Sequence, residues 1–453
     1  MIELLLALQI AVPHPSALSV SPVLSGRTTA GASTRAEPWP GDSVPMLTLA
    51  EALERAVKLN PDYVRSLGDV AEADWTRKVA RIAFFAPSLS AGMDLTKYDT
   101  KFFNFGTLQL SNTSVTGHLD ARYELFSVRK IMELGRTQAE LENATSSEVQ
   151  QRFAAALLTE SAFYGVLADA ELARVARERA ERAEEQLRLA RARVVSGAAV
   201  QSDSLTVRLE LVRAQVDSLR AGSSLRVSRL ELGRRVGIAG PVDATPLSAE
   251  PPPALPITEA DAIAQALEQG PEYRAARARE RSAEAQLKGK RGAYLPTLTL
   301  TGSHTRYDSK FFPSATNVTS VNLNITLPIW NNGDRELAII QARSDRDVAR
   351  AFRTDLERAA FRDVTEAYDG YETARAAVIL AIEGVSVAQE NYRVQEARYK
   401  GGATTVLDLI TAQNGLNDAE AGLVQAHYSA RLALARLEAI LGTRFAITNG
   451  GSQ

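Results

Sequence analysis

The sequence contains no cysteine. Disulfides, thiolate zinc sites, iron–sulfur clusters, cysteine nucleophiles and cysteine-borne lipid anchors are excluded together. An excess of charge is missing too. Lys and Arg number 52 against 54 Asp and Glu, a formal net charge of −2. A nucleic-acid binder would carry a basic surplus or a basic face, so no nucleic-acid partner is expected. No apolar run approaches the ~18–20 residues of a membrane-spanning helix. Histidine is scarce: His14, His118, His304 and His427 stand far apart, without HExxH or comparable ligand spacing. There is no phosphate-binding glycine loop or nucleophile elbow, and four methionines are too few for a soft-metal relay. No catalytic residue, metal or cofactor is therefore expected.

What is present is a duplication. Leu47-Thr48-Leu49-Ala50-Glu51-Ala52 recurs as Ile257-Thr258-Glu259-Ala260-Asp261-Ala262, and Asn60-Pro61-Asp62-Tyr63 as Gly270-Pro271-Glu272-Tyr273. Tyr98-Asp99-Thr100-Lys101-Phe102-Phe103 recurs as Tyr307-Asp308-Ser309-Lys310-Phe311-Phe312, and Ser196-Gly197-Ala198 with Asp203 as Gly401-Gly402-Ala403 with Asp408. Order is kept and the offset stays near ~205–210 residues, which chance matches would not do. The expected organisation is a signal and flexible leader over 1–45, repeat one over 46–240, a Pro-rich linker over 241–256 around Pro251-Pro252-Pro253, repeat two over 257–443, and a tail over 444–453. The leader carries an apolar stretch, Ile2 to Val12, of the length of a secretory h-region. It lacks the basic residues that normally precede one.

Within each copy the period changes. Two short helices separated by Asn60-Pro61 or Gly270-Pro271 give way to alternation: Leu89, Ala91, Met93 and Leu95, then Val115, Gly117, Leu119, Ala121, Tyr123 and Leu125. In the second copy Leu298 and Leu300, then Val321, Leu323, Ile325, Leu327 and Ile329, do the same. Strands are expected near 87–99, 113–126, 296–308 and 318–330. One apolar and one polar face over roughly 9–12 residues suits a transmembrane strand, and equally a hairpin packed on a soluble core. The following segments decide between them. From Phe126 to Gly197 there is no proline, and from Gly333 to Gly401 none again. Each stretch makes one helix of about 68 residues, or ~100 Å, which implies a coiled-coil assembly. Each turns at glycine and returns, giving long hairpins over about 128–236 and 333–441. The run from Arg177 to Glu185 reads as a solvated face with i,i+4 pairs.

Taken together, Asn60-Pro61, Phe85-Ala86-Pro87, Tyr294-Leu295-Pro296, Leu327-Pro328-Ile329-Trp330-Asn331-Asn332-Gly333 and the tips Arg193 to Asp203 and Arg398 to Asp408 resemble the TolC-like outer-membrane efflux family. The resemblance covers nearly everything from Leu47 to Thr443 and lies in the duplicated helix–strand–strand–helix order. It implies an α+β membrane protein. By that resemblance, three chains would each give four strands to one twelve-stranded outer-membrane barrel, continued by a long helical tunnel in the periplasm of a Gram-negative-type bacterium. The protein would be the exit duct of a tripartite efflux or type I secretion system. Its partners would be a periplasmic adaptor, an inner-membrane transporter of RND, ABC or similar class, and outer-membrane lipid. The other reading is a soluble or periplasmic coiled-coil scaffold or adaptor.

The resemblance also implies site residues. Asp408 falls at a constriction-ring position, and the second acidic position falls on Thr411. Ser202 and Asp203 match residues of the closing network, and Tyr399 its tyrosine. The basic partner position is occupied by Thr404, leaving Arg398 or Arg208 as substitutes. For Asp203 and Asp408 a first-turn carboxylate at a helix start is the plainer role. Arg193, Ser196, Gly197, Ala198, Arg398, Gly401, Gly402 and Ala403 are expected to meet the adaptor, with tight turn formation the simpler account of the glycines. Phe102, Phe103, Phe105, Phe311 and Phe312, expected in outward loops, fit an aromatic girdle or pack on one another; Trp330 fits the opposite membrane interface.

Overall fold

The computed structural model of the chain describes residues 44–104, 109–247, 250–308 and 316–445. Most of the leader, with Trp39 in it, lies outside the described residues. So do Phe105, Phe311, Phe312 and most of the tail.

Each repeat opens with a capped helix pair. α1 (Leu49–Leu59) starts on a capping box between Thr48 and Glu51. Asn60 then ends α1 and caps α2 (Pro61–Phe85), its side chain accepting from the Asp62 and Tyr63 N–H groups at 3.0 Å each. α5 (Glu259–Gln269) and α6 (Pro271–Arg291) repeat the arrangement around Thr258 and Gly270-Pro271. β1 (Met46–Leu47) and β4 (Asp243–Ala244) pair in parallel and fasten the start of the first repeat beside the linker. The linker itself is strapped to the second long helix: Tyr371 and Arg375 donate to the carbonyls of Pro253 and Pro252 at 2.6 and 3.0 Å.

The strands β2 (Ser88–Asn104), β3 (Gln109–Phe126), β5 (Thr297–Asp308) and β6 (Thr316–Thr326) form one antiparallel sheet in the order β2-β3-β5-β6. The register places Leu89, Met93 and Leu95 with Leu119, Tyr123, Leu300, Leu323 and Ile325 on one face. Most of these side chains are exposed in the single chain. The other face is polar. Its first-repeat half carries Asp94, His118, Asp120, Arg122 and Glu124; its second-repeat half carries Thr299, Thr301, Ser303, Thr305, Asn322 and Asn324.

Two features differ from expectation, and a third was not foreseen. Phe102 and Phe103 are not in a loop: after an irregularity between Lys97 and Phe102 the ladder resumes and pairs them with Ser111 and Leu110. Aromatic residues favour the pleated surface, and the bulge lets pairing continue. β6 stops at Thr326 rather than near 330, because Pro328 has no N–H for a ladder. Trp330 therefore lies in the passage to the helix, followed by Asn332 at φ 57° and Gly333 at φ 88°. The two strand histidines also part company. His118 is on the polar face, whereas His304 is opposite Leu119 on the apolar face and shares a hydrogen bond with the Thr319 hydroxyl at 2.8 Å.

α3 (Val128–Val195) and α7 (Asp334–Lys400), of 68 and 67 residues, return as α4 (Gln201–Val236) and α8 (Val406–Leu441). α2 packs on α3, α3 on α6, and α6 on α7; α8 packs on both α7 and α3. Alanines lie at the tight contacts. Ala52 and Ala56 set α1 on Phe163, Leu167 and Leu232, and Ala262 and Ala266 set α5 on Val364, Leu437 and Leu441.

Candidate functional site

The two hairpin tips have one geometry. Ser196 and Gly401 end their long helices; Gly197 and Gly402 follow at φ 76° and 78°. In the first tip the Gly197 N–H donates to the Val194 carbonyl (3.1 Å) and Ala198 to that of Arg193 (2.9 Å). In the second, Gly402 donates to Tyr399 (3.1 Å) and Ala403 to Arg398 (2.8 Å). Both are Schellman turns, and both need glycine at the left-handed position only. Gly401 is right-handed, like Ser196, so the turn alone does not require glycine there.

The returning helices differ in their caps. Thr405 caps α8: its hydroxyl accepts from the Asp408 N–H at 3.2 Å, while the Asp408 carboxylate takes the Thr405 hydroxyl (2.7 Å), the Thr405 N–H (3.1 Å) and the Thr404 hydroxyl (2.8 Å). The Thr405 hydroxyl first, then that of Thr404, holds the Asp408 carboxyl below the usual range. The site has a first-turn carboxylate and a basic neighbour, Arg398, that adds to the same effect. At the equivalent place in the first hairpin Val200 offers no side-chain cap, so Asp203, half-buried, lacks such a frame. Ser202 and Thr411 are exposed, and the Thr411 hydroxyl bonds back to the Leu407 carbonyl at 2.9 Å.

Tyr399 links the hairpins. It is 2 % exposed, among Leu187, Ala190, Val207, Leu409 and Ile410. Burial pushes its phenol up, and its hydroxyl finds no hydrogen-bond partner among the described residues. The arginine beside it is neither Arg398 nor Arg208. It is Arg193, which crosses from α3, donates to the Tyr399 carbonyl and lays its guanidinium 4.6 Å from the ring centroid. Arg398 instead reaches its own turn, at the Ala403 carbonyl (3.4 Å). The two arginines occupy equivalent places, so the sequence offers no mark of which one crosses.

A second connection lies higher. Arg182 donates to Asn417 (2.9 Å) and Glu420 (3.0 Å) on α8, and Arg179 to Asp217 on α4 (3.0 Å). The run Arg177 to Glu185 is thus only partly a solvated face. Two of its arginines are turned onto neighbouring helices, where they meet acceptors that local spacing does not reveal. Higher still, Arg444 donates to Glu160 and, at 3.3 Å, to Glu438, both nearly fully buried. Burial pushes both carboxyls up.

The profile of a family described as Outer membrane efflux protein matches residues 52–237 and 262–443, one match per repeat. The chain belongs to that family. It is 25 % identical over 385 residues to the outer membrane efflux protein BepC of Brucella suis, covering 84 % of this chain and 82 % of BepC. It is 25 % identical over 410 residues to protein CyaE of Bordetella pertussis, covering 88 % and 84 %. Among solved structures it resembles the CmeC outer membrane channel of Campylobacter jejuni, with a TM-score of 0.73, 15 % identity, and coverage of 94 % and 95 %. This efflux protein is accordingly an outer-membrane protein, with the sheet and hairpins of that fold. The soluble scaffold reading is set aside, since the family match spans both repeats, strands included.

Proposed function

We propose that three copies of this efflux protein close a twelve-stranded barrel above a hollow helical tunnel, and that the assembly is a passive exit duct. A periplasmic adaptor docks at the tips, and an inner-membrane transporter supplies the energy. One observation carries this reading: the sheet exposes an apolar face, and among the described residues no strand pairs with the outer edge of β2 or of β6. An open edge in lipid leaves backbone groups unpaired at several kcal/mol each, so further copies must close it. The tips supply the gate. Arg193 on Tyr399 holds one hairpin to the other, Asp408 lines the narrowing, and Asp203, Ser202, Thr404 and Thr411 flank it. The turn residues Arg193, Ser196, Gly197, Ala198, Arg398, Gly401, Gly402 and Ala403 meet the adaptor.

The test is the protein mass of the detergent-extracted particle by light scattering, followed by conductance in planar bilayers. A mass of three chains and discrete channels are expected. A monomer soluble without detergent would sink the reading. For the gate, Asp408→Asn should weaken block of the channel by divalent or trivalent cations; unchanged block would remove Asp408 from it.

A further inference from the structure

The sheet and the helices below it end on the same two sides. β2 and β6 are the outer strands, and α2 and α7, which adjoin them in sequence, are the outer helices of the α2-α3-α6-α7 layer. β2 begins at Ser88, directly after α2, and β6 ends at Thr326, directly before α7. Both strand ends therefore sit at the helical end of the sheet. If β6 of one copy continues the antiparallel ladder along β2 of the next, its 327–333 passage comes down beside residues 85–88 of that neighbour.

The two surfaces that would meet there are both unsatisfied. The passage carries Ile329 and Trp330, 85 % and 77 % exposed. On the α2 side, Val79, Ile82 and Phe85 form an exposed apolar stripe, Phe85 at 78 %. Val79, Ile82 and Ala83 line a cleft of ≈ 400 Å³ between α2 and the start of α3, with Arg129 and Lys130 on its wall. Lys130 already rests 4.2 Å from the centroid of the Tyr123 ring and 5.4 Å from that of Phe84. A third aromatic ring entering the cleft would gain the same kind of cation contact, which an aliphatic knob would not.

We infer that Trp330 of one copy is the knob that fills this cleft in the next copy, locking adjacent subunits where barrel meets tunnel, rather than an anchor in the lipid headgroups. The inference rests on the three-copy reading above. Its evidence is continuity with the open strand edges and the match of two exposed apolar surfaces at one level.

The chain's lack of cysteine gives a direct test. In the detergent-extracted particle, Trp330→Cys combined with Ala83→Cys should form dimers and trimers on a denaturing gel after oxidation, and neither single variant should. No crosslink from a particle that still weighs three chains would overturn the knob and leave the trimer standing. A particle of one chain would overturn both. A second measurement keeps the indole in place. With Trp39→Phe and Trp75→Phe, Trp330 is the sole tryptophan, and its emission should resist quenching by acrylamide and by brominated phospholipid alike. Strong quenching by the brominated lipid would place Trp330 in the membrane belt and overturn the inference.

Discussion

Individual residues at the tips separate what the backbone needs from what the side chain adds. Gly197 and Gly402 hold positive φ, where a β-carbon costs about 1–2 kcal/mol. Gly197→Ala and Gly402→Ala should each lower the denaturation temperature of the particle, whereas Gly401→Ala should leave it unchanged or raise it; equal losses at all three would contradict the turn geometry. Val200→Thr should supply the missing first-hairpin cap, slowing amide exchange at the start of α4 by an amount corresponding to about 1 kcal/mol. Asp408 has a pH consequence. Its folded carboxyl is held below its unfolded value, so its contribution is present above the ordinary aspartate range and is lost as pH falls through the lowered one. Protection of the amides in the first turn of α8, measured against an unstructured peptide at the same pH, should therefore fall in acid below about pH 4, and Asp408→Asn should show the lower protection already at neutral pH.

At the level of elements, Arg444 ties the end of the chain to the middle of α3. Arg444→Ala would leave Glu160 buried beside Glu438 without its cation. Because the arginine side chain is 45 % exposed, the expected loss is about 2 kcal/mol, below the 3–5 typical of a fully buried pair. Both carboxyls are raised, so their stabilising protonated forms are lost as pH climbs through the raised values. Glu160→Gln should then recover part of the Arg444→Ala loss in denaturant unfolding at neutral pH; a further loss instead would mean that the charge is not the cause. This cluster was invisible in the sequence, since 284 residues separate its two ends. The helices and alternating strands were legible because their periods of 3.6 and 2 are local properties of the chain. Strand ends were less so. Pro328 interrupts the apolar alternation that ran on through Leu327 and Ile329 and stops β6 early, and a bulge carries β2 on through Phe102, which depends on what the partner strand offers. Arg193, which reads as an outward tip residue, turns inward only because the second hairpin brings Tyr399 beside it.

For the whole molecule, duplication means that the chain is two similar halves with unlike chemistry at matching places. One crossing arginine, one capped tip and one buried tyrosine break the likeness. Arg193→Ala removes the arginine contact between hairpins at the tip but not the apolar packing around Tyr399 or the Arg182 pair above it. It should raise channel conductance, and adding Arg182→Ala should raise it further; no change in either would place the narrowing elsewhere.

The polar face of the sheet carries its charges on the first-repeat strands and only hydroxyls and amides over most of the second. Rolled into a closed wall by three copies, that face becomes an electrostatic corrugation, with three ionic tracks alternating with three neutral ones along the direction of flow. A charged solute repelled from one track has an adjacent uncharged lane that neither attracts nor holds it. Such a wall should filter weakly and retain little.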